Sequence, residues 1–305
     1  MKNRICLLTA ALIWGTTFLF QRVSTGTIGT FSFITIRSLL GALAVLPILL
    51  FYRHKKALRA RSGNDVPPPG RKGWPLWVCC VIIGCILFAG SALQQAALIY
   101  TTAGKAAFIT ALYIVLVPIL GLVLYRPLRL THVLGCALGS AGLYLLTYQG
   151  GGEAFNFGDL LAFAGVLFWA LHIIAVDRFV EWHPGIYLAD GQLAVDCVLG
   201  LAAVFLTGED LTWQAVSATA IPLLYAGIMS SGVAYALQII GQEGVPPTEA
   251  SMLLSMEMIF GALSGALFLG ETMTARELTG AAIMFAGVLT AQVPGRILWY
   301  RRMSR

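Results

Sequence analysis

Ten apolar segments run through this chain, in two halves of five that echo each other. A helix needs about 20 apolar residues to cross the hydrocarbon, because every backbone N–H and C=O must be satisfied within the segment. The segments lie near 4–22, 31–52, 74–99, 104–124, 131–148, 157–178, 186–207, 216–240, 249–270 and 276–293. Five is odd, so a five-span unit enters on one face and leaves on the other, and a second copy inserts upside down. The expectation is an all-α integral membrane fold of ten transmembrane helices, arranged as two inverted five-helix repeats. The repeats cover 1–150 and 151–295, and a basic tail follows at 296–305. Secondary transporters are often built this way, with substrate held between the halves near the bilayer midplane.

The echo is weak in identity but ordered. At a shift of 155 residues Leu12 and Trp14 meet Leu167 and Trp169, and Arg37 meets Gln192. The shift then falls to 144, pairing Ala92, Leu93, Gln94 and Ala106 with Ala236, Leu237, Gln238 and Ala250. It settles at 145, pairing Leu124, Gly135, Ala137 and Gly142 with Leu269, Gly280, Ala282 and Gly287. The step falls where the first half carries its long polar loop. Matches among Leu, Ala and Gly arise by chance in apolar sequence, so the Trp pair, the Gln pair and the shared register carry the argument.

A composition 58% hydrophobic and 11% charged excludes a soluble globular chain. Lys and Arg collect in cytoplasmic loops. Placing both termini in the cytoplasm puts sixteen of the twenty basic residues there, seven of them in the 53–73 loop, and leaves Lys105 and Arg276 outside, with Glu153. The net charge of +6 is then a topology signal beside anionic lipid. Nucleic-acid binding would need an extended basic surface that the chain lacks. The start of the chain reads as the uncleaved first helix, because cleavage would remove the partner of the sixth span. The 53–73 loop reads as a mobile connector. All six cysteines lie in apolar spans and read as small packing residues. Trp74, Trp77, Trp182, Trp213 and Trp299 sit at span ends, as an aromatic belt requires.

Catalytic, cofactor and metal motifs are not found. Gly104-Lys105 is followed by Ala106 and lacks the upstream glycine of a phosphate-binding loop, and no His-Glu-x-x-His stretch occurs. Ser140 and Ser231 with His172 would suggest an intramembrane protease, but small residues in lipid are more simply helix contacts. The intramembrane polar set says more. Glu257, in the middle of the ninth span, must be protonated, paired or in reach of water. Its alternatives are proton coupling or a structural hydrogen bond. Arg37 in the second span either holds an anionic group or pairs with Asp190, Asp196 or Glu257; structural pairing is the favoured reading. Trp14 and Trp169 are equivalent and mid-span, His172 shares the face of Trp169, and Gln94 and Gln238 are likewise equivalent. With Thr110, Tyr113 and Tyr235 these residues would line a substrate cavity, and packing is the competing reading for each. The glycines of the fifth and tenth spans would allow close packing at the repeat ends or an oligomer contact.

These residues together resemble the drug/metabolite transporter superfamily, in its EamA-type ten-helix members. The marks are Trp14-Gly15, Arg37, Glu257, and Leu269-Gly270-Glu271 followed by Gly280 and Gly287. Two departures stand out: Met258 replaces a frequent proline, putting a kink in doubt, and Tyr125-Arg126-Pro127 replaces a Gly-Glu that often ends the fourth span. The resemblance implies an inner-membrane carrier, usually an exporter of amino acids, other metabolites or toxic organic compounds. Its cavity would be lined by the first, third, fourth, sixth, eighth and ninth helices. The expected partners are a small-molecule substrate, protons and the lipid bilayer, with no cofactor, metal or nucleic acid, in a monomer or homodimer. A membrane enzyme using His172 or Glu257, and a non-transporting scaffold or receptor, are the alternatives.

Overall fold

A computed structural model describes residues 1–61, 73–123, 128–147, 156–269 and 274–299. Its first half contains α1 (Lys2–Ser24), α2 (Thr30–Arg61), α3 (Leu76–Tyr100), α4 (Ala103–Ala111), α5 (Tyr113–Val123) and α6 (Leu130–Thr147). The second begins with α7 (Phe157–Phe179) and α8 (Gly185–Thr207). The short helices α9 (Trp213–Ala218) and α10 (Ala220–Leu224) then lead into a π-helical segment, Tyr225–Ala234. It continues as α11 (Tyr235–Gln242), α12 (Pro247–Leu254), α13 (Glu257–Leu269) and α14 (Ala275–Gln292). A short ribbon, β1 (Leu128–Arg129) with β2 (Ile297–Trp299), ties the start of α6 to the chain after α14.

Among the described residues seven helical stretches are long and apolar enough to cross a membrane: Lys2–Ser24, Thr30–Lys55, Leu76–Tyr100, Lys105–Leu122, Phe157–Phe179, Gly185–Thr207 and Ala220–Gln242. The remaining three expected spans are shorter, interrupted or less apolar. Leu130–Leu146 is a shorter apolar helix, the ninth segment breaks after Leu254, and α14 carries Arg276 and Glu277 in its first turn. Large apolar side chains such as Phe51, Trp77, Phe205 and Ile221 cover the outer flank, which is the surface a bilayer requires. The loop expected at 53–73 begins later: α2 runs on to Arg61, because the Lys, Arg, Ala and Leu of 53–61 are strong helix formers. Residues 62–72, Glu153, Tyr125-Arg126-Pro127, Gly270-Glu271 and the tail from 300 lie outside the described residues. Cys79, Cys80 and Cys136 are buried, whereas Cys85 is exposed on the flank of α3, so packing does not describe it.

Packing repeats itself at register-equivalent places. α3 lies along α7, and α1 along α11 and the π segment; α2 packs on the π segment, and α8 on α3. The pairs α2 with α8 and α6 with α14 join equivalent helices. Glycine makes the last contact close. A Cβ on Gly135 would stand 2.8 Å from the Gly287 carbonyl oxygen, and one on Gly142 would stand 2.6 Å from that of Gly280. At the shift of 145 these are one contact seen twice. The glycines therefore serve a junction within the chain.

Two interruptions position the site. The fourth segment breaks at Leu112, where the Leu112 amide donates to the Ile109 carbonyl at 3.1 Å, a tightened turn. The ninth breaks at Ser255-Met256 without any proline. There the Met256 amide donates to Leu253 and the Ser255 hydroxyl donates to Met252 at 2.8 Å, competing with the helical ladder. At the shift of 144, Leu112 maps onto Met256. Tyr113 and Glu257 thus occupy the same place, each opening the second half of a broken helix.

Candidate functional site: a central polar cavity

The broken helices, with α1, α3, α7, the π segment and α11, surround a partly open cavity with about 560 Å³ of space, some of it continuous with solvent. Trp14, Gln94, Thr110, Tyr113, Trp169, His172, Tyr235, Gln238 and Glu257 all line it, and so does Arg37. Glu257 is buried, and its Oε1 accepts a hydrogen bond from the Tyr113 hydroxyl at 3.1 Å. Gly15 holds the carboxylate's backbone in place: a Cβ there would stand 2.5 Å from the Glu257 carbonyl oxygen and 2.7 Å from the Gly261 amide nitrogen. Only glycine lets α1 lie so close to the start of α13.

An aromatic cluster forms the middle of the wall. Trp14 and Tyr235 meet edge-on with ring centroids 5.0 Å apart, and His172 stands 6.0 Å from Tyr235. The Trp14 indole N–H donates to the Ser230 carbonyl at 3.3 Å. Ser230 belongs to the π segment, a winding often found at functional positions. His172 Nε2 bonds the Gln192 side-chain oxygen at 2.7 Å.

Amides extend from the wall at two equivalent places. Gln94 donates to Gln21 at 3.4 Å, and Gln21 to Gln95 at 3.2 Å. Gln238 donates to Gln242 at 3.1 Å, and Gln242 to the Ile173 carbonyl at 2.8 Å. Four buried wall atoms have no hydrogen-bond partner: Arg37 Nε, Trp169 Nε1, Thr110 Oγ1 and Gln238 Oε1. Buried polar atoms are nearly always satisfied. All four belong to residues that line the same cavity.

Arg37 departs from its expected pairing. Its Nη2 donates to the Ser91 hydroxyl at 2.9 Å, and among the described residues no carboxylate lies in ion-pair reach of it. Asp196 is instead bonded by the Ser38 hydroxyl and lies outside the cavity lining. Thr17, Phe18, Gln21, Ile173, Ser230 and Leu254 also line the cavity and were missed from the sequence. Gln21 carried a signal, since an amide in an apolar span needs a partner. Leu254 and Ile173 carried none, because apolar wall and apolar core look alike.

The model of the EamA-like transporter family matches residues 2–148 and, a second time, residues 156–291. The chain belongs to the EamA-like transporter family. It is a multi-pass membrane protein of a family of transporters. Similar curated proteins include an uncharacterized transporter of Archaeoglobus fulgidus, 28% identical over 93% of this chain and 83% of that protein. Another is the uncharacterized transporter YvbV of Bacillus subtilis, 25% identical over 94% and 91% of the two chains. The threonine/homoserine exporter RhtA of Escherichia coli is 30% identical, but over only 48% of each chain. A protein of known crystal structure shares the fold, with a TM-score of 0.75 at 21% identity over 95% of this chain and 98% of its own.

Proposed function

We propose that this EamA-family protein is a secondary transporter that exports small amino acids, related metabolites or amphipathic organic compounds across the plasma membrane by alternating access. The carrying observation is the cavity between equivalent elements, whose wall holds four unpaired polar atoms together with Glu257. The similarity to RhtA favours the amino-acid end of that range. Arg37 and Trp169 offer donors for a carboxylate, Glu257 and Gln238 offer acceptors for an ammonium group, and the rings accept an apolar body. A hydrolytic role for His172 is disfavoured, because its Nε2 is engaged by Gln192.

The scaffold on this reading is two inverted repeats, 1–150 and 151–295, with ten spans and both termini cytoplasmic. Support comes from the register-equivalent helix contacts, the two equivalent breaks and the doubled family match. Single cysteines at Ser62 and Gly152, both outside the described residues, are then expected to label from opposite faces in a cysteine-free protein. Labelling of both from one face contradicts the inverted arrangement.

Glu257 is proposed as the proton-coupling group. A cationic or zwitterionic substrate bound to the ionised carboxylate excludes the proton from the same group, which is the logic of antiport. Uniport, with Glu257 only bonding the substrate, is the second mode, and the bond already given by Tyr113 favours it to that extent. A panel of amino acids and amphipathic amines tests the transport reading. Binders should raise the melting temperature of the purified protein and show saturable flux in proteoliposomes. Binding without flux of any of them would favour a receptor or enzyme.

A further inference from the structure

Where α2 packs on α8, the two helices carry buried charges of opposite sign that are bonded to other groups. The helices are register equivalents. At the shift of 155, Arg37 meets Gln192 and Gly41 meets Asp196. Each helix therefore has the same two places, one turn apart on one face. α2 fills the first place with a guanidinium and leaves the second bare, so close to the π segment that a Cβ on Gly41 would stand 2.7 Å from that of Ser231. α8 fills the first with an amide, which holds His172, and the second with a carboxylate. The repeat thus sets a cation in one half beside an anion in the other.

Arg37 and Asp196 are only 4% and 1% exposed. A hydroxyl stands on each. Arg37 Nη2 donates to Ser91, which also bonds the Tyr235 phenol, and Asp196 Oδ2 accepts from Ser38, the residue next to Arg37. Arg37 Nε and Asp196 Oδ1 are left without partners. The two charges still act on each other across this gap, and both act on Tyr235. Cys197, beside Asp196 on α8, also feels the carboxylate. A guanidinium cannot shed its charge, and a buried charge without a counter-charge is costly. Arg37 lines the cavity and Asp196 does not, so Arg37 is balanced from behind the wall.

We propose that Asp196 is a specificity-determining residue, which makes the cavity select zwitterions over solutes of net negative charge. The inference rests on the amino-acid reading above, with Arg37 as a donor to the solute carboxylate. Ionised Asp196 already neutralises Arg37. A solute anion therefore adds an unbalanced charge to a buried site and sets a second carboxylate against the same guanidinium, which like charges disfavour. A zwitterion brings its own cation: its carboxylate takes Arg37, its ammonium group takes Glu257 or Gln238, and the net charge is unchanged. Replacing Asp196 with a neutral residue should therefore admit anions. A merely structural Asp196 predicts the opposite sign, since its loss would weaken all solutes alike.

The probes are L-leucine and L-threonine, each beside its deaminated acid, isocaproate and β-hydroxybutyrate. They are titrated calorimetrically into the purified full-length protein at neutral pH. The parent should bind an amino acid at least about tenfold more tightly than its deaminated acid. Asp196→Asn should tighten the deaminated acid by about tenfold and move the amino acid by less than about threefold. Asp196→Glu keeps the charge and should hold the parent's ratio. Asp196→Ser is a second neutral replacement, and melting temperatures check that each variant folds. A parent that binds both members of a pair equally overturns the proposal without any variant. So does a folded neutral variant that leaves the deaminated acid within about twofold of the parent, or that weakens both members alike. The amino-acid reading survives each of those results. If neither amino acid binds the parent, that reading falls and this one with it.

Discussion

The two broken helices make the most instructive comparison in the molecule. α4–α5 and α12–α13 interrupt at the same register and present the next residue to the same cavity, yet that residue is Tyr113 in one and Glu257 in the other. The two then bond each other. Trp14 and Trp169 repeat the pattern: equivalent indoles, one bonded to a carbonyl and the other with its N–H unsatisfied. A repeated scaffold fixes where side chains go, and differences between its halves supply the chemistry. Identical halves would place two tyrosines or two carboxylates face to face, giving either no charge or a repelling pair.

The comparison breaks most sharply at the helix contact behind Glu257. Gly15 has Ala170 as its equivalent at the shift of 155. Gly15→Ala should destabilise by roughly 1–3 kcal/mol, because its Cβ meets α13 backbone. Ala170→Gly should cost only about 1 kcal/mol, through helix propensity and a small void. Apparent melting temperatures in detergent give the order, and equal losses would mean that the two faces are packed alike.

Tyr113→Phe tests the bond between the halves. It removes one hydrogen bond, so a loss of about 1 kcal/mol is expected, with a larger effect on solute affinity than on folding. Exchanging the two residues, by Tyr113→Glu with Glu257→Tyr, should recover folding that Tyr113→Glu alone loses. Failure of the exchange to recover it would show that the places are not interchangeable.

The smallest effects separate the indoles. Trp14→Phe gives up a made hydrogen bond and should cost stability by about 1 kcal/mol. Trp169→Phe gives up an unmade one, so it should leave melting nearly unchanged and weaken solute binding. The reverse order would assign the ligand contact to Trp14.

Much of this was legible in the sequence because membrane burial makes polar residues expensive. A carboxylate, two amides and two indoles in apolar spans had few places to go, and the repeat register paired them. Arg37 was the informative exception. Its charge called for a carboxylate in direct contact, but its guanidinium donates to the Ser91 hydroxyl, and one residue's sequence context cannot choose between those outcomes. The break at Ser255-Met256 was also hidden. It arises from serine hydroxyls bonding back to carbonyls, where the visible cue would have been a proline. Arg4, Glu249, Lys105 and Asp159 were visible as charges near span ends, but which charges meet depends on how the halves fold together.

The central claim is that Glu257, in a cavity between unlike halves, couples solute movement to protons. The direct measurement is solute flux in proteoliposomes, for the parent and for Glu257→Gln, with and without an imposed pH gradient. The account predicts that the gradient accelerates flux through the parent and that Glu257→Gln loses the acceleration. A parent whose flux ignores the gradient, or a Glu257→Gln variant that keeps its full response, would contradict it.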